Sequence, residues 1–412
     1  MAKKIYPRWQ ANTITQALKT RRVVMVSGPR QCGKTTLVKQ MVQSNDTFLT
    51  LDDDALLKTA SSDPLGFAKH HRGASTGATV IDEVQKVPAL ITAIKRVVDE
   101  DSSPGQFLLT GSSDFQKNPE ITESLAGRVK NIELRPLSIG ETLERNPSFL
   151  DRAFGEGWPA QIKGYDKKRV IELAFIGGYP EPLFFNAHER TGWHLDYART
   201  LLARDLRDVA NIRRKETLRE LLGVLAAWSS KYLDTDSICA KLNITKPTLS
   251  SYINALAALY LFQKVPSWRK TDYDRVGKRD KFFTTDTGLM ASLLDWRLDD
   301  VFLDSDRSGK IFETLVYNQL FSETSLGYEY SLFHYRDRAK REIDFIVENR
   351  QGAILGIEVK AGSMVSQSDC KHLNWFKGNV KKPFRGIVLY SGENTLPLAK
   401  DILAVPIAAL WN

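Results

Sequence analysis

Cysteine is scarce: the 412-residue chain has three, Cys32, Cys239 and Cys370. They lie far apart without C-x-x-C spacing, which argues against a disulfide framework and against a structural zinc site. Long apolar runs are lacking too. The first ten residues, MAKKIYPRWQ, have none of the apolar run of a signal peptide, and no stretch reaches the ~20 apolar residues of a membrane-spanning helix. The expectation is a cytoplasmic protein with no membrane partner. Nor is the chain short of core-forming residues: 42% are hydrophobic and 26% charged, a globular rather than disordered balance. Its length leaves room for roughly two to four domains. A formal net charge of +9 is a modest excess that favours a polyanionic partner.

What is present begins at residues 23–36, VVMVSGPRQCGKTT. Val23, Val24, Met25 and Val26 read as a buried strand, 27–33 as a glycine-flanked loop, and Lys34 onwards as a helix. Gly28, then Pro29, Arg30, Gln31 and Cys32, then Gly33, Lys34 and Thr35 match a phosphate-binding loop. The two glycines let the backbone curl so that successive N–H groups face phosphate oxygens. The following helix, which carries Thr36, adds its positive end. Lys34 is expected on the β- and γ-phosphates and Thr35 on Mg²⁺; Cys32 reads as a small filler.

The strand 78–83, ATVIDE, places Asp82 to hold Mg²⁺ through water and Glu83 to orient or deprotonate the attacking water. A further strand, 107–110, runs into Gly111, Ser112 and Ser113, where a hydroxyl, Thr110 or Ser112, would sit beside the γ-phosphate. Before the strand 129–134 stands Arg128, either an arginine finger reaching across a subunit boundary or a solvated arginine.

GPRQCGKTTL, ATVIDEVQKVP, LLTGSSDF and ESLAGRVKNIELRPLSIGE, in this order, resemble the AAA+ superfamily P-loop ATPases of bacteria and archaea that carry a C-terminal domain of unknown function. The resemblance implies ATP and Mg²⁺ as cofactors and a parallel sheet with the phosphate-loop strand in the middle and helices on both faces. It also suggests a homo-oligomeric ring. Strand and helix alternation alone supports an α/β sheet.

From 141 to about 214 the pattern is helical. Gly177-Gly178-Tyr179-Pro180 is a sharp turn; a Gly-x-Pro turn contacts nucleotide in related signalling ATPases, so the resemblance assigns Pro180 to the nucleotide, whereas turn chemistry explains the glycines unaided. Arg204 and Arg207, on an amphipathic helix, are partner-facing or solvated. Residues 237–242, the turn 243–245 and 246–256 have helix-turn-helix spacing. A strand-like LYLFQKV follows, then a basic run with Lys264, Arg269, Lys270, Arg275, Lys278, Arg279 and Lys281. A winged helix would place its second helix in the major groove of DNA and the basic wing on phosphates.

Near the C-terminus, Glu313 lies in a largely apolar helix, 309–321, and two strands, 341–347 and 353–360, read as an antiparallel pair. Glu358 and Lys360 share a face, and Asp344 joins it if it pairs opposite Glu358. Two carboxylates, a lysine and Glu313 are what metal-dependent phosphodiester hydrolysis requires, the carboxylates binding Mg²⁺ and the lysine orienting water. The set resembles the PD-(D/E)xK nuclease superfamily, with Ile343 where a proline is usual. An ion pair on a hairpin surface is the plainer reading of Glu358 and Lys360.

The expected order is an AAA+ P-loop ATPase core (1–140), a helical lid or linker (141–215), a winged-helix-like module (216–285) and an α/β nuclease-like domain (286–412). The first functional reading is an ATPase whose nucleotide state controls a metal-dependent nuclease-like domain on nucleic acid, DNA first. The alternatives are a signalling switch with a non-catalytic nuclease-like platform for a protein partner, and a winged-helix DNA-binding regulator.

Overall fold

The structure is a computed structural model describing residues 4–73, 77–112, 127–155, 157–204, 215–269 and 280–412. It divides into two compact units, 1–136 with 258–260, and 137–257 with 261–412.

In the first unit, strands β1 (Val23–Ser27), β2 (Thr47–Thr50), β3 (Thr79–Asp82), β4 (Phe107–Gly111) and β5 (Val129–Glu133) form a parallel sheet ordered β2-β3-β4-β1-β5. β1, β3 and β4 are buried along their whole length because helices cover both faces. Val24 and Val26 pack with Leu37, Val38 and Ile14 on one side, while Val23 and Met25 face Leu90, Ile91 and Ile94 on the other. The strands run in one direction, so the tips after Ser27, Asp82 and Gly111 meet at one edge of the sheet. That edge is where an open α/β sheet places its ligand.

The second unit holds a three-stranded antiparallel sheet, β6 (Lys231–Tyr232), β7 (Phe262–Val265) and β8 (Lys281–Thr284), ordered β6-β8-β7. It also holds a six-stranded mixed sheet of β9 (Tyr330–Arg336), β10 (Glu342–Asn349), β11 (Ile354–Lys360), β12 (Phe384–Tyr390), β13 (Leu396–Ala399) and β14 (Ile402–Pro406), ordered β13-β14-β12-β11-β10-β9. Helix Ser305–Thr324 packs Ile311, Phe312, Leu315 and Val316 against Phe345, Leu355 and Ile357, and helix Lys371–Asn379 packs Leu373 and Phe376 in a second cluster with Ile346 and Val388. One hydrophobic cluster joins Ile139, Phe149 and Ile171 to Val265, Phe283, Phe345 and Trp411.

Helices Thr235–Leu242 and Lys246–Ala258 flank a turn entered through Asn243 in the left-handed region (φ 49°), the conformation asparagine tolerates better than most residues. Of the expected basic run, Lys270, Arg275, Lys278 and Arg279 lie outside the described residues, as does Arg207.

Candidate functional site

The loop between β1 and helix Lys34–Met41 is shaped by three residues of positive φ: Gly28 (152°), Gln31 (60°) and Gly33 (100°). A Cβ on Gly28 would sit 2.0 Å from the Leu134 carbonyl oxygen, so only glycine fits. Gly33 caps the helix without a side-chain hydrogen bond, leaving the first-turn N–H groups to a ligand. Lys34 is buried, and its ammonium donates to the carbonyls of Gly28 (2.9 Å) and Pro29 (2.7 Å) across the loop mouth. Curled backbone, open helix end and a held ammonium fit a triphosphate. Pro29 and Cys32 are buried, Arg30 and Thr35 half-buried, and Gln31 and Thr36 exposed.

The Mg²⁺ set is also assembled. Thr35 Oγ1 lies 3.0 Å from both oxygens of Asp82, and the Thr110 hydroxyl donates to Asp82 Oδ1. A threonine hydroxyl beside a buried carboxylate is a hard-oxygen donor pair suited to magnesium. Glu83 stands in the left-handed region (φ 58°), its N–H bonded to Thr110 Oγ1 at 3.2 Å. The Gln85 amide donates to Glu83 Oε2 and to Ser112 Oγ (2.8 Å). Thr110 therefore serves Asp82, while Ser112 is tied through Gln85 to Glu83.

Two contributors escape a sequence reading. Arg8 donates from Nη1 to the Cys32 carbonyl (2.8 Å) and from Nη2 to the Arg135 carbonyl (2.6 Å), bracing the loop. Gln85 fixes the Glu83 carboxylate; it lies within ATVIDEVQKVP, but nothing in its spacing marks it.

Arg128 does not come to this edge. It precedes Val129, which pairs with Val23 at the opposite ends of the parallel strands, and its guanidinium bonds the Asp99 carboxylate. Pro180 belongs to the second unit, half-buried in its turn. Packing explains the glycines there: a Cβ on Gly178 would meet the Leu137 oxygen at 2.1 Å, and one on Gly177 the Asp286 carboxylate at 2.6 Å.

The second polar cluster lies in the C-terminal sheet. β10 and β11 pair through Phe345↔Ile357 and Ile346↔Gly356, a register that sets Asp344 opposite Glu358. The Asp344 carboxylate accepts the Val359 N–H (2.9 Å). Lys281 of β8, a residue the sequence places in a basic wing, is 1% exposed and sits among the acids. Its Nζ is 2.8 Å from Glu313, 3.0 Å from Asp344 and 3.1 Å from Glu342. Burial works against both charges, yet the three carboxylates hold the Lys281 ammonium protonated well above its usual range, and Lys281 with the Val359 N–H keeps Asp344 below the usual carboxylate range. Burial, then repulsion from Asp344, pushes Glu313 up to about 7 and Glu358 well above its ordinary value. Lys360 is partly exposed and lies 3.9 Å from Asp369.

Glu313, Asp344 and Glu358, the expected metal set, are brought to one cluster, but with a lysine ammonium among them. Among the described residues no group of three or more His, Cys, Asp or Glu side chains is arranged to hold a metal ion. The physical reason is the ammonium of Lys281, which occupies the space between the Glu313 and Asp344 carboxylates. These residues as they stand do not fit a divalent ion.

Residues 20–143 match the AAA domain family, residues 167–300 the domain of unknown function DUF8612, and residues 308–410 the domain of unknown function DUF4143. The first unit thus contains a P-loop ATPase domain. The uncharacterized proteins Mb2031c of Mycobacterium bovis and Rv2008c of Mycobacterium tuberculosis are each 27% identical over 405 residues, covering 96% of this chain and 82% of theirs. A Walker-type ATPase of Pyrococcus abyssi is similar at 14% identity and a TM-score of 0.42, across 71% of this chain and 99% of its own, too weak a likeness to carry a fold assignment. Among the described residues no helix is long and apolar enough to cross a membrane.

Proposed function

We propose that the chain is an ATP-driven switch. The P-loop domain binds and hydrolyses ATP, and its nucleotide state sets the state of a C-terminal PD-(D/E)xK-like domain that binds its partner without cutting it. The observation that carries the ATPase half is the convergence of Lys34, Thr35, Asp82 and Glu83 at one sheet edge; the non-cutting half is supported by the Lys281 ammonium among the C-terminal carboxylates.

In this reading Lys34 exchanges its loop carbonyls for phosphate oxygens, and the N–H groups of 28–36 cradle the phosphates. Thr35 and Asp82 hold the magnesium, which when bound neutralises phosphate charge. Glu83, oriented by Gln85, positions or deprotonates the attacking water, with Ser112 at the far end of that hydrogen-bond chain. The net charge of +9 favours nucleic acid, DNA first, as the partner. A second reading, metal-dependent cleavage, rests on the register that aligns Asp344 with Glu358 and requires that a divalent ion displace the Lys281 ammonium.

The 412-residue chain incubated with plasmid, linear and single-stranded DNA, with Mg²⁺ and with ATP or ADP, separates the two. The switch predicts intact DNA whose retention differs between ATP and ADP. Cleavage that disappears in Asp344→Ala would establish the second reading, and DNA retention indifferent to nucleotide would overturn the switch.

A further inference from the structure

The carboxylate cluster of the C-terminal sheet is assembled from three elements. Glu313 comes from helix Ser305–Thr324, Glu342 and Asp344 from β10, and Glu358 from β11 opposite Asp344. Asp344 and Glu358 are each 8% exposed, and acids this close and this buried repel one another unless a cation is supplied. A divalent ion is one such cation. The fold uses another: Lys281 arrives from β8, a strand of the smaller sheet, and extends a fully buried side chain into the cluster.

The fit is specific. Three different carboxylates stand around Nζ, Glu313 at 2.8 Å, Asp344 at 3.0 Å and Glu342 at 3.1 Å, and the ammonium donates a hydrogen bond to Asp344 Oδ1. The rings of Phe283 and Phe345, with centroids 5.9 and 6.0 Å away, line the approach and keep water from it. One positive charge joins a strand, a helix and the neighbouring sheet, the connection a bridging metal would make.

We propose that Lys281 is the resident cation of this cluster: its ammonium takes the place of a divalent metal ion, so the C-terminal domain holds its fold without metal, and removing that charge converts the carboxylates into a divalent-cation site. The proposal deepens the non-cutting half of the proposed function and rests on the same cluster. Cation binding and DNA cleavage are read by different assays, so each can fail without the other. It is independent of the P-loop, which takes Mg²⁺ together with nucleotide.

The test uses the full chain, free of nucleotide, at neutral pH. Thermal unfolding is followed in chelator, in millimolar Mn²⁺, and in NaCl of equal ionic strength. The wild type is expected to melt at the same temperature in all three. Lys281→Ala is expected to melt several degrees lower in chelator, to recover most of the loss in Mn²⁺ but not in NaCl, and to lose that recovery when Asp344→Asn is added. A Lys281→Ala protein indifferent to Mn²⁺ would overturn the proposal. Should Lys281→Ala fail to fold in chelator, folding restored by Mn²⁺ supports the proposal and failure to restore it overturns it. Mn²⁺ paramagnetic resonance on the wild type provides an independent readout. Mn²⁺ bound by the wild type and released by Asp344→Asn would show that the lysine does not exclude metal, overturning the proposal, and absence of such binding supports it.

Discussion

Helix Ser305–Thr324, which carries Glu313 to the cluster, is anchored near its other end by a second buried acid. Glu323 is 8% exposed and accepts the Leu150 N–H at 3.0 Å, serving as cap for helix Phe149–Phe154, whose own Ser148 makes no side-chain cap bond. Burial, with repulsion from Asp151, pushes its carboxyl up to about 7 against the pull of the Leu150 N–H and Arg152. An unfolded glutamate titrates near ~4.3, so between there and pH ~7 the folded chain holds a proton that the unfolded chain has released. Stability from this group therefore falls as pH rises through that window, and the full cost is present above it. At ~1.4 kcal/mol per pH unit the cost approaches about 4 kcal/mol at pH ~8 as an upper bound. Glu323→Gln keeps an oxygen for the Leu150 N–H and never ionises. Urea denaturation followed by circular dichroism should find the variant close to wild type near pH ~5 and more stable by about 1–3 kcal/mol at pH ~8. A variant equal to or weaker than wild type at the higher pH would refute the reasoning.

Other expectations concern the P-loop domain. Gly28→Ala drives a Cβ onto the Leu134 carbonyl, so the loop cannot close as built; a fluorescent ATP analogue should no longer bind, while circular dichroism stays near wild type. Arg8→Ala removes two charge-assisted bonds that brace the loop, and the loss of about 1.5 kcal/mol should weaken nucleotide binding roughly tenfold. Unchanged affinity in the same titration would show that Arg8 does not brace the loop. Thr110→Val strips the hydroxyl that bonds Asp82 and receives the Glu83 N–H, and steady-state ATP hydrolysis should fall more than ATP binding.

The local parts of this structure were legible in the sequence. Alternation within Val23, Val24, Met25 and Val26 is absent because β1 is covered on both faces, and an uninterrupted apolar run before a glycine loop reads as that. Strand parity allowed Asp344 to pair opposite Glu358, and the observed register is the one that does so. What could not be read depends on distant partners. Lys281 sits among lysines and arginines, and only the approach of β8 to β10 and to helix Ser305–Thr324 turns a wing residue into a buried cation. Arg128, an arginine finger or a solvated arginine in the sequence, falls at the end of the sheet away from its own phosphate loop because β5 runs parallel to β1 and strand direction decides the edge. The continuous core from Ile139 to Trp411 likewise joins segments that composition alone divides.

The central claim is that residues 28–36 with Asp82 form a working nucleotide site. Calorimetric titration of ATP with Mg²⁺ into the wild type and into Lys34→Ala, both checked for intact secondary structure, tests it most directly. Saturable binding by the wild type and none detectable in the variant is the predicted result. Equal affinity in the two proteins would contradict it.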